Sequence, residues 1–324
     1  MKKSILILGG TMFAGRLLVE KLIAANLYHV TLFNRGKSNH QLFPDIQQIH
    51  GNRESDAIQQ IFEQHWDVII DFSGYYPITF QKLIQNLRGK VGRYIFISTI
   101  SVFPMGEKEE QIINENSHTL ECTEEQMNSA LPDAYGEKKA EMERILLAEK
   151  ELDSIILRPS FIYGKHDFTD RFYYWLYRAK HAQKIILPET KSLSLTYVED
   201  LANAILNAIE TPVHKNYYNA ISHTNTSLEA ILKTTAALLE KQIEIISADE
   251  TFLKKHELDY YSFPLCLPFN LQIEGSQWLQ AFNVKPKDFK QSLLECIAYY
   301  ESNHWPAPKT GISLESENAI IEQL

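Results

Sequence analysis

The sequence predicts a doubly wound α/β fold, a parallel sheet with helices on both faces, followed by a smaller mixed α/β lobe. Three observations lead there. From residue 4 to about 160, short apolar, β-rich runs alternate with helical patterns. The first run ends in glycines that open directly into a helical pattern. After Pro159 the alternation loosens and aromatic residues crowd together.

The expected strands of the first part are Ile5–Leu8, Val30–Phe33, Gln48–His50, Val68–Phe72, Tyr94–Ser98 and Ser154–Leu157. Their alternation with helical patterns implies parallel strands joined by crossover helices. Phe13, Leu17, Leu18, Leu22 and Ile23 recur at helical spacing, which gives the first helix an apolar face for the sheet. Beyond Pro159 we expect an aromatic helix at Phe168–His181, strands at Ile185–Leu187 and Leu195–Tyr197, and helices at Asp200–Ile209 and Ser227–Leu239. The residues after Trp305 read as a poorly packed tail.

A chain of 324 residues that is 44% hydrophobic and 23% charged buries a sizeable core. Its formal net charge of -9 lacks the electrostatic footprint of a nucleic-acid binder, so a small-molecule substrate is the better expectation. Cys122, Cys266 and Cys296 are odd in number and widely spaced, which argues against a disulfide framework. His118 and Cys122 lie four apart without convergent partners, so no metal is expected. No apolar run reaches membrane-spanning length and no leader is evident, and on that ground the protein is expected in the cytoplasm.

Gly9-Gly10-Thr11-Met12-Phe13-Ala14-Gly15 follows a strand and opens a helix. In that context backbone amides at a helix N-terminus meet a pyrophosphate closely, which predicts dinucleotide binding. Met12 occupies the middle position of the glycine spacing, so its side chain is expected to point away from the phosphates. The second strand ends in Phe33-Asn34-Arg35-Gly36, with no acid to meet the ribose hydroxyls of NAD. Arg35, helped by Arg16 and Lys37, would instead meet the 2′-phosphate of NADP, which is favoured over NAD.

Tyr135 and Lys139 are i and i+4 on a helical pattern and share one face. An ammonium held beside a phenol lowers its pKa toward the working range, so that the tyrosine exchanges a proton with a substrate hydroxyl or carbonyl. Ser98-Thr99-Ile100-Ser101 ends the fifth strand, at the edge where such sheets carry their sites. Thr99 would hydrogen-bond the same substrate oxygen, with Ser98 and Ser101 as alternatives.

With these residues in view, the chain resembles the extended short-chain dehydrogenase/reductase superfamily, in the NAD-dependent epimerase/dehydratase family, over most of residues 4–210. The resemblance rests on Gly9 and Gly15, Asp71-Phe72-Ser73-Gly74, Ser98-Thr99, the Tyr135/Lys139 pair, and Leu157-Arg158-Pro159-Ser160-Phe161-Ile162-Tyr163-Gly164. It implies a Rossmann domain at 1–160, to which part of 194–222 returns, a substrate lobe at 161–305 and a tail at 306–324. It implies catalysis by Thr99, Tyr135 and Lys139. It further implies cofactor binding by Gly9, Gly10, Thr11, Met12, Phe13, Gly15, Asn34, Arg35, Phe72, Ser73, Gly74, Ser98, Tyr135, Lys139, Pro159 and Ile162. The activity implied is oxidoreduction or epimerisation/dehydration at a hydroxyl or keto group of a small, nucleotide-sugar-like substrate. A homodimer through residues 81–87 and 137–147 is also implied.

The chain departs from the family pattern at Leu8, at Met12, and at Asn52 where an aspartate often meets adenine. Tyr75 and Tyr76 also differ from the sugar-nucleotide epimerases. A narrower likeness, through Gly9–Arg16 and Asn34-Arg35-Gly36, is to a subgroup that includes chloroplast stem-loop RNA-binding proteins. A non-catalytic dinucleotide binder or RNA-binding relative is therefore the alternative, which the acidic charge and the Tyr135/Lys139 pair disfavour.

Two further stretches bear on the site. In Asp167–Trp175, some of Phe168, Arg171 and Tyr174 would touch substrate, with Arg171 meeting an anionic group. The acidic stretches 107–110 and 121–125 read as a surface loop between Thr99 and Tyr135.

Overall fold

A computed structural model describes residues 2–106, 112–189, 191–212 and 217–323. The first half runs β1 (Lys3–Leu8), α1 (Phe13–Ala25), β2 (Tyr28–Asn34), β3 (Gln47–His50), β4 (Trp66–Asp71), α2 (Pro77–Leu87), β5 (Val91–Ile97), β6 (Ile112–Ile113), α3 (Glu124–Asn128), α4 (Tyr135–Ala148) and β7 (Asp153–Pro159). It continues through β8 (Phe161–Tyr163), α5 (Tyr173–His181), β9 (Lys184–Pro188), β10 (Leu193–Tyr197), α6 (Val198–Ala208), β11 (Tyr217–Ala220), β12 (His223–Thr226), α7 (Leu228–Leu238) and β13 (Glu244–Ala248). The last elements are α8 (Glu250–Lys255), β14 (Gln272–Ile273), α9 (Ser276–Ala281), α10 (Phe289–Ser302) and α11 (Leu314–Ile321).

The main sheet has seven parallel strands in the order β3-β2-β1-β4-β5-β7-β11. Its register aligns the carboxyl ends, with Leu8 opposite both Phe33 and Asp71, and Ile97 opposite Leu157. Strand order reverses at β1, which opens a crevice outside the carboxyl ends of β1 and β4.

Period-two alternation decides which helix each side chain meets. Ile5, Ile7, Val68, Ile70, Ile95 and Ile97 pack with α1 and α6 on one face. Leu6, Leu8, Ile69, Tyr94 and Phe96 pack with α2 and α4 on the other. Both faces are buried, which is why these strands read as unbroken apolar runs in the sequence.

The remaining core is aromatic, built from α5, α7, α10, β9 and β10 around Tyr173, Tyr174 and Trp175. Here the structure corrects the expected elements. The helix expected from Phe168 begins at Tyr173, because His166 and Asp170 take left-handed φ of 65° and 56° and hold the intervening loop out of helical geometry. β11, which did not stand out as a strand, closes the edge of the main sheet beside β7. The acidic stretch 107–110 lies outside the described residues, whereas 121–125 leads into α3, capped by Thr123. Among the described residues, no helix is long and apolar enough to cross a membrane.

The expected loose tail is instead docked. Glu317 on α11 is fully buried, lies 2.8 Å from Arg178 of α5, and accepts a 2.8 Å hydrogen bond from the Ile186 amide. The Tyr173 hydroxyl donates to the Pro306 carbonyl at 2.6 Å, and Ile320 and Ile321 pack on the aromatic core. The sequence hid this because the ion-pair partners come from opposite ends of the lobe. Removing one partner of a buried pair leaves an uncompensated charge, so Glu317→Ala is expected to cost about 3–5 kcal/mol. Urea unfolding followed by circular dichroism checks this, and a midpoint equal to the parent's would show that the tail carries no stability.

Candidate active site

A single cavity of about 670 Å³ runs along the carboxyl edge of the sheet, from the ends of β1 and β2 to the loop before α5. At one end lies the glycine turn. Gly10 holds φ at +92°, and a Cβ there would come within 3.2 Å of Ile7 and Leu32, so only glycine lets the turn pass over the core. No side chain caps α1 at Met12, which leaves its first amides available at the cavity. Free helix-terminal donors beside a side-chain-free turn are the features a pyrophosphate requires, so these residues fit a dinucleotide. Met12 lines the cavity and is 37% exposed.

The loop after β2 is braced internally. Asn34 accepts from the Gly36 amide at 2.8 Å and donates to Gln48 at 3.1 Å. Arg35 and Lys37 line the cavity, but Arg16 does not; its guanidinium pairs with Glu20 at 2.8 Å one helical turn away. Asn52 is also on the lining.

At the end of β4 lies a buried cluster that the sequence did not reveal. Arg53 grips Asp71 with two hydrogen bonds of 3.0 and 3.1 Å, and the Tyr94 hydroxyl donates to the same carboxylate at 2.7 Å. The Ser73 amide adds a fourth bond at 2.8 Å. Despite burial, these donors keep the Asp71 carboxyl below its ordinary pKa. No local pattern signals this cluster, because Arg53 and Asp71 are eighteen residues apart in the chain. Phe72 and Ser73 line the cavity, while Gly74 is not among its lining residues and packs close to Phe96.

Thr99, Tyr135 and Lys139 all line the same cavity. Their meeting depends on Gly136, where a Cβ would lie 2.1 Å from the Ser101 carbonyl oxygen; only glycine lets the start of α4 close on the turn after β5. Thr99 accepts from the Ser101 amide at 3.1 Å. Ser98 is on the lining, but its hydroxyl donates to Glu143 at 2.5 Å. Pro159 and Ile162 complete this part of the wall.

The electrostatics differ from the sequence expectation. Burial pushes the Tyr135 phenol up to about 12, with Tyr75 adding to the rise and the Thr99 hydrogen bond and the Arg171 charge opposing it. Lys139 does not lower it here. Its ammonium donates to the Ile97 carbonyl at 2.9 Å, sits 4.5 Å from the centre of the Phe96 ring, and is 6.0 Å from the centre of the Tyr135 ring. Burial lowers Lys139 to about 8, against the opposing charges of Asp71 and Glu143. Near neutral pH the phenol therefore holds its proton and the ammonium its charge.

Of the aromatic segment before α5, Phe168 and Arg171 line the cavity, whereas Tyr174 is fully buried against Arg178. Phe161 and Thr169, within segments the sequence singled out, also line the cavity; sequence reading missed Met105, which sits on a loop with no motif.

A doubly wound parallel sheet with a glycine turn beside its point of strand reversal defines a Rossmann-type α/β protein. The family model described as "NAD dependent epimerase/dehydratase family" matches residues 5–220, and the chain belongs to that family of enzymes, which are of the extended short-chain dehydrogenase/reductase type. A search of the curated proteins found no match.

Among solved structures, the chain is similar to UDP-glucuronic acid 4-epimerase from Bacillus cereus in complex with NAD, at 18% identity and a TM-score of 0.69 over 94% of this chain and 100% of that one. It is similar to dTDP-glucose 4,6-dehydratase from Bacillus anthracis str. Ames in complex with NAD, at 19% identity and a TM-score of 0.70 over 93% and 97%. A third similar structure is UDP-N-acetylglucosamine 4-epimerase from Methanobrevibacter ruminantium M1 in complex with UDP-N-acetylmuramic acid, at 18% and 0.72 over 94% and 100%. At such identities the likeness is one of fold.

Lys139 yields a pH prediction. Its folded pKa of about 8 lies below the ordinary 10.5, so between these values the unfolded chain holds the extra proton and stability rises with pH. The contribution is about 3 kcal/mol across that window. Lys139→Met is expected to remove this rise, so that the difference in unfolding free energy between variant and parent shrinks from pH 8 to 10.5. An unchanging difference would show that the ammonium is not desolvated.

Proposed function

We propose that this protein is an NAD(P)-dependent oxidoreductase or epimerase/dehydratase acting on a hydroxyl or keto group of a small, nucleotide-sugar-like substrate. The observation that carries this reading is the shared cavity, which is lined by both the glycine turn and Thr99, Tyr135 and Lys139. The similar solved structures named above are of enzymes that handle nucleotide sugars, which supports the substrate class.

The glycine turn and the first amides of α1 hold the pyrophosphate. When bound, the nicotinamide supplies hydride acceptance and donation. Pro159 and Ile162 flank its ring, and Lys139 holds the nicotinamide ribose. Tyr135 passes its phenolic proton to a substrate carbonyl oxygen, or takes one from a hydroxyl, while Thr99 hydrogen-bonds the same oxygen. Lys139 supplies positive charge behind the phenol, and an ammonium brought closer to the phenolate would lower the Tyr135 pKa.

For the cofactor we favour NADP. Arg35 lies on the lining with Lys37 beside it, and Asn34, where an acid would select NAD, is spent on its own loop. A guanidinium matches phosphate oxygens in a two-pronged geometry.

Two outcomes follow. Tyr135→Phe is expected to lower turnover by about 10²–10⁴-fold with dinucleotide affinity nearly unchanged, because only the proton donor is removed. Turnover equal to the parent's would reject the assignment. In calorimetric titration of the cofactor-stripped protein, NADP is expected to bind more tightly than NAD, and Arg35→Ala to weaken NADP by about tenfold or more while sparing NAD. Equal affinities would remove the NADP preference, and no binding of either would overturn the function.

A further inference from the structure

Of the nine arginines in the sequence, seven form ion pairs with carboxylates: Arg16, Arg53, Arg88, Arg93, Arg144, Arg158 and Arg178. The other two, Arg35 and Arg171, have no such pair among the described residues, and both line the cavity. A guanidinium keeps its charge at any physiological pH. Left on a concave wall without a counter-ion, it selects for an anion. Arg35 is on the turn after β2; Arg171 is on the same lining as Tyr135 and Thr99, in the loop whose Phe168 ring meets Phe13 of the glycine turn.

The loop that presents Arg171 is braced rather than loose. Asp167 is buried, and its Oδ1 accepts from the Thr169 amide at 2.9 Å and the Thr169 hydroxyl at 2.7 Å. Asp170, with φ of 56°, accepts from the Lys309 amide at 3.0 Å, which ties the loop to the docked C-terminal segment. Asp170 thus has another donor, and so has Asp167 Oδ1; Asp167 Oδ2 has no hydrogen-bond partner among the described residues, and the Arg171 charge acts on that carboxyl without forming an ion pair with it. The Arg171 Nε donates to the Thr169 hydroxyl at 3.3 Å, and its Cζ stands 5.4 Å from the centre of the Phe161 ring, which steadies the guanidinium plane. The two terminal nitrogens have no acceptor among the described residues. The charge also reaches the proton-transfer site, where it opposes the upward shift of the Tyr135 phenol.

We propose that the terminal nitrogens of Arg171 bind an anionic substituent, carboxylate or phosphoryl, of the same substrate whose hydroxyl or keto oxygen meets Tyr135 and Thr99. The substrate is then an acid, and a neutral alcohol or sugar at the same place leaves Arg171 without a partner. This deepens the function proposed above and rests on it for the role of Tyr135.

The test is calorimetric titration of malonate and of inorganic phosphate into the full chain, saturated with whichever dinucleotide it binds so that the other anion site is filled. The parent is expected to bind at least one probe, Arg171→Gln to weaken that binding by about tenfold or more, and Arg171→Lys to fall between them. Preference for malonate assigns a carboxylate, and preference for phosphate assigns a phosphoryl group. Unchanged binding in Arg171→Gln, or no binding of either probe by the parent, overturns the proposal. If it fails while the dinucleotide still binds and Tyr135→Phe is still inactive, only this inference falls. If no dinucleotide binds, the proposed function falls, and the same titrations on the unliganded chain still decide whether Arg171 holds the anion.

Discussion

The carboxyl edge of the sheet, where Thr99, Tyr135 and Lys139 line the cavity, is organised by one buried carboxylate, Glu143. It lies on α4 two helical turns beyond Tyr135 and one beyond Lys139, so all three share a face. Its oxygens accept from Ser98 at the end of β5 at 2.5 Å, and from Arg158 at the end of β7 through bonds of 3.0, 3.0 and 2.5 Å. Arg158 is itself held between the Phe103 and Tyr217 rings, 5.0 and 4.8 Å from their centres, and donates to the Glu115 carbonyl at 3.2 Å. A buried ion pair adds little stability over an apolar contact, but a helix slipped along its axis would leave both charges unpaired. The pair therefore sets the position of α4 against two strands, and with it the meeting of Tyr135 and Thr99.

A second buried carboxylate, Asp71, does the same work on the neighbouring strand. It gathers Arg53, Tyr94 and Ser73 and shapes the turn that carries Phe72 onto the cavity wall. Asp71 and Glu143 share one further consequence. Both favour the charged form of Lys139, which burial among apolar and aromatic neighbours would otherwise neutralise. The charge available at the site is thus a balance between desolvation and two fixed anions, each neutralised in turn by its own arginine.

Much of the first half was legible in the sequence, for a physical reason. Strands buried on both faces must be apolar throughout, so β1, β2, β4, β5 and β7 announce themselves. The glycine turn is legible because its backbone geometry excludes other residues, and the Tyr135/Lys139 pair because four residues make one helical turn. The second lobe was less legible. Its aromatic core shows no period that marks where α5 begins, and two left-handed residues, His166 and Asp170, delay the helix. The tail looked loose because its anchor, Glu317, is an ordinary surface residue until Arg178 is placed beside it.

The sequence by itself determined the local geometry: strand, turn and helix in order, and which residue types stand at the carboxyl edge of the sheet. These follow from dihedral preferences and periodicities that span only a few residues. Tertiary structure alone decided which charges are spent and which are free. Arg16, Arg35 and Arg171 are alike as letters, yet Arg16 is paired along its own helix while Arg35 and Arg171 face the cavity. Gly74, in the expected motif, is not on the cavity wall, and Arg53, in none, anchors it. Pairing depends on distances between side chains that only packing sets, and Coulomb interactions fall off with those distances rather than with separation along the chain.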